Sequence, residues 1–396
     1  MHIATAWSTD ENPALAFDGA YARLHDKLGC APSLLLVLFT EAYPAAVMLA
    51  AVRALPPDIR VHGLSICTGV MTEEGFHGQD GRAIGLWGLH DPDGSFGVGM
   101  ALLNGDPGQA VTQALDQALA EADRPGEVPD LVWVSTSPGS EEAVLRGIKG
   151  VLGSTAQVFG GSAADNGVAG RWSLLSRDAA ASAAIVISVM FPTMTSSASF
   201  QSGYSPTERH GRITAASGRV LQRIDDRLAA DVYNEWTGGL IESALDGGNI
   251  LPVTSLSPLG RVAGKVGEMA FYMLSHPDAV VEGGALSLFT EVEAGQEVVL
   301  MTGSPHSLVT RAARVTEAAM ALDNIQRSRI SGALVVYCAG CMLTVRNQMP
   351  AVVDGLNTSL GGKPFLGAFT FGEQGCVVGR ESVHGNLMIS SIVFSH

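Results

Sequence analysis

Three stretches of the chain share one order of apolar and polar positions. In each, an apolar, β-branched run leads into a helix-like stretch, and a second short strand then ends in glycine. The first is Ser33–Thr40, Pro44–Leu55 and Ile59–Gly63; the second is Leu131–Ser137, Ser140–Leu152 and Ala156–Gly160. The third is Ala333–Cys338, Cys341–Leu360 and Pro364–Gly367. From strand end to glycine (Thr40 to Gly63, Ser137 to Gly160, Cys338 to Gly367) the intervals are 23, 23 and 29 residues. Two equal intervals favour duplication over the chance recurrence of a common strand–helix–strand unit.

Each glycine opens a polar or glycine-rich loop: Leu64–Gly69, Gly161–Gly167 and Ala368–Gly375. Strands are predicted next, at Ala83–Leu89 with Phe96–Leu103, at Trp172–Leu175 with Ala183–Phe191, and at Asn386–Phe394. Asp93-Gly94 between the first two reads as a hairpin turn. Helical stretches precede the copies at Pro13–Leu28, Asp106–Ala122 and His306–Asn324. A parallel strand pair needs a helical crossover, whereas a hairpin adds antiparallel strands. The expected fold is therefore α/β, with layered mixed sheets, flanking helices and repeated helix–strand–helix–strand–hairpin units. Residues from about Thr193 to Ser304 break the pattern, which places the expected boundary near Pro192, with domains at 1–192 and 193–396.

The 396 residues are 46% hydrophobic and 16% charged, which excludes a disordered chain. The net charge of −15 argues against nucleic acid and against an anionic membrane surface. The longest apolar runs, Ser33–Phe39 and Ala179–Phe191, are shorter than the roughly 20 residues of a membrane span. With no signal-like opening and only five scattered cysteines, the expected location is cytoplasmic.

Catalytic motifs fail one by one. The chain has no G-x-G-x-x-G, no G-x-x-x-x-G-K-[ST], no G-x-S-x-G and no H-E-x-x-H. Cys338-Ala-Gly-Cys341 lies where a strand meets a helix, a place that stabilises thiolates. It reads either as a reactive thiol pair or as two small packing side chains. Glu373, in Phe371-Gly-Glu-Gln-Gly375, must bind something or accept backbone N–H bonds, because isolated burial of a carboxylate is costly. Asp165-Asn166 has the matching place in the second copy, lining the same cleft or making Asx turns. His384, His62 and His77 are more simply hydrogen-bonded structural residues than metal ligands.

Tyr337–Cys341, Pro364–Gly375 and His384-Gly-Asn-Leu387 together resemble the FIST (F-box and intracellular signal transduction) family. Leu35–Thr40, His62–Gly69 and Asp231–Trp236 are similar to other segments of that family, so the resemblance spans nearly the whole chain. Three positions depart from its pattern: Cys341 where arginine is common, Gln374 for isoleucine, and a first loop without its glutamate. The resemblance implies a cytoplasmic sensory module that binds a small ligand, amino acids having been suggested, and reports to a partner. Some members are similar to haem-binding nitric-oxide sensors working with a histidine kinase or a cyclic-di-GMP enzyme. No kinase, HAMP or diguanylate-cyclase segment is visible, so output through a separate chain is expected.

The resulting expectation is a non-enzymatic sensor, able to form a homodimer, whose strand-end loops converge on a ligand. Its ligand-binding residues would be Glu373, Gly372, Gly375, Cys338, Asp165, Asn166 and Ser65, with Glu373 orienting a polar or cationic group. One alternative is a haem held by His384 or, failing that, His62. Another is a redox or cysteine-dependent protein using Cys338 and Cys341. A third is an interaction scaffold.

Overall fold

The computed structural model describes residues 2–266, 269–376 and 382–396. The α/β fold class expected from the sequence is the one observed, with mixed sheets and flanking helices. Each unit runs strand, helix, strand, helix, strand, hairpin, strand. In the first these are His2–Ser8, Pro13–Leu28, Leu34–Thr40, Ala45–Ala54, Arg60–Ile66, the hairpin Val70–Thr72/Gly75–His77, and Ile84–His90. The second runs Ser95–Leu102, Pro107–Glu121, Leu131–Thr136, Glu141–Leu152, Val158–Ser162, the hairpin Leu174–Ser176/Ala180–Ala181, and Ala184–Phe191. The third opens with Thr195–Ser202, continues after an insertion with Pro305–Leu322, Ile330–Cys338, Met349–Leu360 and Phe365–Thr370, and ends with the hairpin Glu373–Cys376/Ser382–Gly385 and Met388–Ser395.

Each six-stranded sheet takes four strands from one unit and two from the hairpin of another. Within each unit the strands lie in the order first, last, second, third, and the second and third are parallel. The hairpin always leaves. The first unit's hairpin joins the third sheet, the second unit's joins the first sheet, and the third unit's joins the second. The exchange is cyclic, so the three six-stranded sheets close into a ring. The aligned glycines sit at its seams. Gly63, Gly160 and Gly367 stand opposite Val37, Val134 and Val335 on one side and opposite Leu175, Gln374 and Met71 of the foreign hairpin on the other. A Cβ at Gly160 would meet the Val134 carbonyl oxygen at 1.8 Å, and one at Gly367 would meet the Met71 side chain at 2.7 Å. Any side chain there blocks the strand contact.

Alternation along each strand divides its residues between two cores. Leu34, Leu36 and Leu38 join Trp87, Trp133 and Phe394 in a shared central core, whereas Leu35, Val37 and Phe39 pack outward against Phe17, Leu24 and Met48. Val132, Val134 and Ile187 pack outward against Val111, Leu115 and Ile148 in the same way. Both faces are therefore buried, which is why the strands read as continuous apolar runs.

One local expectation is corrected. Ile84–His90 and Ser95–Leu102 are not a hairpin: the first lies between His2–Ser8 and Leu34–Thr40, the second pairs with Ala184–Phe191 in another sheet. Asp93-Gly94 does turn the chain, with Gly94 N–H donating to the Asp91 carbonyl, but the turn links two units. Residues 205–302 form the insertion, a nine-stranded sheet with its own core around Ile213, Tyr233, Val298 and Leu300. Among the described residues no helix is long and apolar enough to cross a membrane.

Gly160→Ala should cost about 3 kcal/mol, the upper range for forced overpacking, because the obstacle is backbone. Gly150, inside the helix Glu141–Leu152 with nothing near its would-be Cβ, should instead gain about 0.5–1 kcal/mol on change to alanine. Denaturant unfolding of both variants checks the contrast.

Candidate functional site

The strand-end loops of the ring meet, and they meet by hydrogen bonding to one another. Ser65 Oγ donates to the Ala164 carbonyl at 2.8 Å, and the Ala164 N–H donates back to the Ser65 carbonyl at 2.9 Å. Asn166 Oδ1 accepts from Thr68 N–H at 2.7 Å while its amide donates to the Gly81 carbonyl at 2.9 Å. The Ser162 N–H donates to the Gly372 carbonyl at 2.8 Å. Asp165 accepts from the N–H groups of Gly167, Ala169 and Arg171. Its burial works against the charge, but those N–H bonds outweigh it and hold the carboxyl below its usual range.

These residues close the tips rather than line a space. Ser65, Asp165, Asn166, Gly372, Gly375 and Glu373 do not line the cavity that lies beside them. Gly372 and Gly375 are needed for packing: added Cβ atoms would sit 2.4 Å from His384 and 2.4 Å from Phe200. Glu373 is wholly buried, accepting from Thr370 Oγ1 at 2.8 Å and Met388 N–H at 3.1 Å. Burial, with Cys338 adding to it, pushes its carboxyl well above the usual range. Its two oxygens are taken by Thr370 and Met388 and burial works against its charge, so the expected role of orienting a cation is withdrawn.

The cavity lies beside the tips, under the insertion. It measures 510 Å³, within the range of small-molecule sites. The ring contributes Trp172, Cys338, Phe371 and Asn386 to its wall, and the insertion contributes Leu251, His276, Phe289 and Arg219. Trp172 and Phe371 meet edge to face, with ring centres 6.3 Å apart and planes at 89°. Cys338 is the expected ligand-binding residue that lines it, just before the short helix Ala339–Thr344. The activated thiolate expected there is corrected. Burial, reinforced by the adjoining Cys341, drives the Cys338 thiol well above its ordinary pKa, and Cys341 lies wholly buried against Tyr204.

At one edge Arg219 locks the insertion to the ring. Its Nη2 lies 2.6 Å from Glu141 and 2.5 Å from Glu142. Glu142 also accepts from Glu291 N–H, and Glu291 pairs with Arg146 at 2.8 Å. Burial alone would raise the pKa of Glu141; His384 and Arg219, together with a hydrogen bond from Ser162, outweigh it and bring it below the usual range. Glu141, Glu142 and His384 bring ligand atoms within 4.8 Å of one another, but Arg219 already holds both carboxylates.

A haem needs an imidazole nitrogen free to face a slot, and neither expected histidine offers one. His62 is wholly buried between Ser188 and Ser135, each 2.8 Å from a ring nitrogen, and burial lowers its pKa to about 3. His384 has Nδ1 against Gln374 and Nε2 against the Phe289 carbonyl, each at 3.3 Å. The residues present do not fit the group. Nothing in the sequence flagged Trp172, His276, Phe289 or Arg219, because three of them belong to the segment without a repeat.

The repeated ring carrying an inserted sheet defines an α/β protein of mixed sheets, and family comparison names its family. The FIST N domain matches residues 33–227 and the FIST C domain residues 229–376, so the chain belongs to the FIST family, whose domains are signal-transduction sensors. No functionally curated protein matches the sequence. Among solved structures, a cyanuric acid hydrolase described as an evolutionary innovation by structural concatenation aligns over 99% of both chains, at 12% identity and a TM-score of 0.36. The cyanuric acid hydrolase from A. caulinodans aligns over 100% of this chain and 99% of its own, at 9% identity and a TM-score of 0.39. The expectation of a non-enzymatic protein is corrected accordingly, since chains that align end to end with this one are enzymes. At such scores the likeness assigns no reaction.

Two outcomes follow from the site's charges. Arg219→Met leaves two carboxylates at the interface without their partner and should destabilise the protein by about 3 kcal/mol, read by thermal unfolding at pH 7. Glu373 keeps its proton in the fold at pH values where the unfolded chain has lost it, so its contribution to stability falls as pH rises above about 4.3. Glu373→Gln should therefore gain on the wild type as pH rises from 5 to 8, and a constant difference in urea midpoints would contradict the assignment.

Proposed function

We propose that the protein is a ligand sensor whose small molecule occupies the cavity between ring and insertion, and that occupancy is reported to a separate partner through the seating of the insertion. One observation carries this reading. The cavity wall is shared between two bodies, each with its own core, so a bound molecule touches both at once. A ligand shifts an equilibrium by its differential affinity for two arrangements, and one that bridges both bodies favours the seated one. The Arg219 contacts to Glu141 and Glu142 lie on the same wall, so they close or loosen together with the ligand. Membership of a signal-transduction family agrees with this use of the seam.

The walls favour an apolar molecule over the amino acid or the cation first expected. Trp172, Phe289, Phe371, Leu251 and Leu343 dominate them, and Glu141 is already saturated by Arg219, Ser162 and the Gly139 N–H.

A thermal-shift screen of small metabolites on the full chain tests the reading. Hits should slow amide exchange in 205–302, and Trp172→Ala should weaken them at least ~10-fold, the loss of one aromatic wall. A screen without hits, or hits that leave exchange in the insertion unchanged, would reject it.

A further inference from the structure

Two acceptors face the cavity: an imidazole nitrogen of His276 and the amide oxygen of Asn386, the latter buried without a donor. The first is on His276, which is 3% exposed. Thr254 Oγ1 lies 2.7 Å from the Pro277 carbonyl oxygen and 3.0 Å from His276 Nε2. A hydroxyl has one proton to give, and the shorter contact takes it. Oγ1 therefore accepts from the imidazole, which places the ring proton on Nε2 and leaves Nδ1 a bare lone pair. The ring's hydrogen bond is made at Nε2, which leaves Nδ1 for the cavity that His276 lines. Burial lowers this histidine's pKa to about 3, so the ring stays neutral at physiological pH.

The second acceptor is on Asn386, which is 2% exposed. Its Nδ2 donates to the Phe371 carbonyl at 3.3 Å, which assigns the amide orientation and leaves Oδ1 without a partner. Buried acceptors are ordinarily satisfied, so the bare Asn386 Oδ1, with His276 Nδ1 on the same cavity, is a mark of what enters it. Charged ligands find no match there. A cation meets Glu141 already saturated, and an anion meets Arg219 already held by two carboxylates.

Resting on the sensor reading above, we infer that the cavity takes an uncharged aromatic molecule of two or three fused rings bearing an O–H or N–H donor. The rings lie among Trp172, Phe289 and Phe371, and the donor goes to His276 Nδ1. A second donor, on ligands that have one, meets Asn386 Oδ1. Recognition is thus shared between the insertion, which reads the donor, and the ring, which supplies most of the aromatic wall.

Calorimetric titration of the full chain with 2-naphthol, 2-methoxynaphthalene and 2-naphthoate tests this. The first two differ in the donor alone; the third adds a negative charge. The expected result is 2-naphthol binding at least 10-fold tighter than its methyl ether, with naphthoate weakest. His276→Phe should bring 2-naphthol and the ether to the same affinity. The wild-type preference is read without any variant, so a misfolded H276F leaves the test intact. Equal wild-type affinities for 2-naphthol and the ether overturn the donor assignment while the cavity remains a ligand site. Tightest binding of naphthoate overturns the neutral class. Silence toward all three probes overturns the class alone if the metabolite screen gives hits, and overturns the sensor reading with it if the screen is also silent.

Discussion

A glycine opposite a valine, three times over, is the contact on which the molecule closes. Gly63, Gly160 and Gly367 lie on the third strand of each unit, between their own parallel partner and a hairpin from a different unit. A Cβ would crowd the foreign hairpin at Gly63 and Gly367, where Leu175 and Met71 lie 3.0 and 2.7 Å away, and the unit's own strand at Gly160, where the Val134 carbonyl lies at 1.8 Å. Because each unit gives its hairpin to one sheet and takes one for another, no sheet is complete alone, and none ends in a wide open edge on that side. The cost is topological, since the ring closes only when distant segments have all found their places.

Closure also decides where chemistry can happen. The strand ends that hold ligands in open α/β sheets are here drawn into mutual hydrogen bonds, so Ser65 and Asn166 are used up in holding the units together, while Asp165 is used up in fixing its own loop. The inserted sheet restores a usable space by roofing one flank of the tips. That roof has a core of its own around Ile213 and Tyr233, sends Met273, Leu274 and Met301 into the central core, and is tied at its rim by Arg219 to Glu141 and Glu142.

The repeat was legible because its glycines are under a steric constraint that substitution cannot relax, and the register opposite Val37, Val134 and Val335 shows the alignment to be structural. Helix spans were legible for the usual reason: Asn12 and Asp106 cap helices that open with Pro13 and Pro107. Pairing was less so. Asp93-Gly94 is a true turn, yet local turn chemistry says nothing about which sheet each flanking strand enters. The site was the least legible part. Glu373 stood out as a lone carboxylate among glycines, but the fold buries it completely, beside Cys338, and spends its two oxygens on Thr370 and the Met388 N–H.

The amino-acid order alone determined the three-fold repetition, the α/β class, the family and the place of the insertion, since each depends on local periodicity or on a residue that steric limits leave no alternative to. Tertiary structure decided the exchange of hairpins, the closing of the tips and the joining of Trp172 and Phe371 with His276 and Phe289 around one cavity. Those features depend on contacts between residues far apart in the chain, 85, 98 and 99 positions at the tips, and such contacts leave no trace in the spacing of either partner.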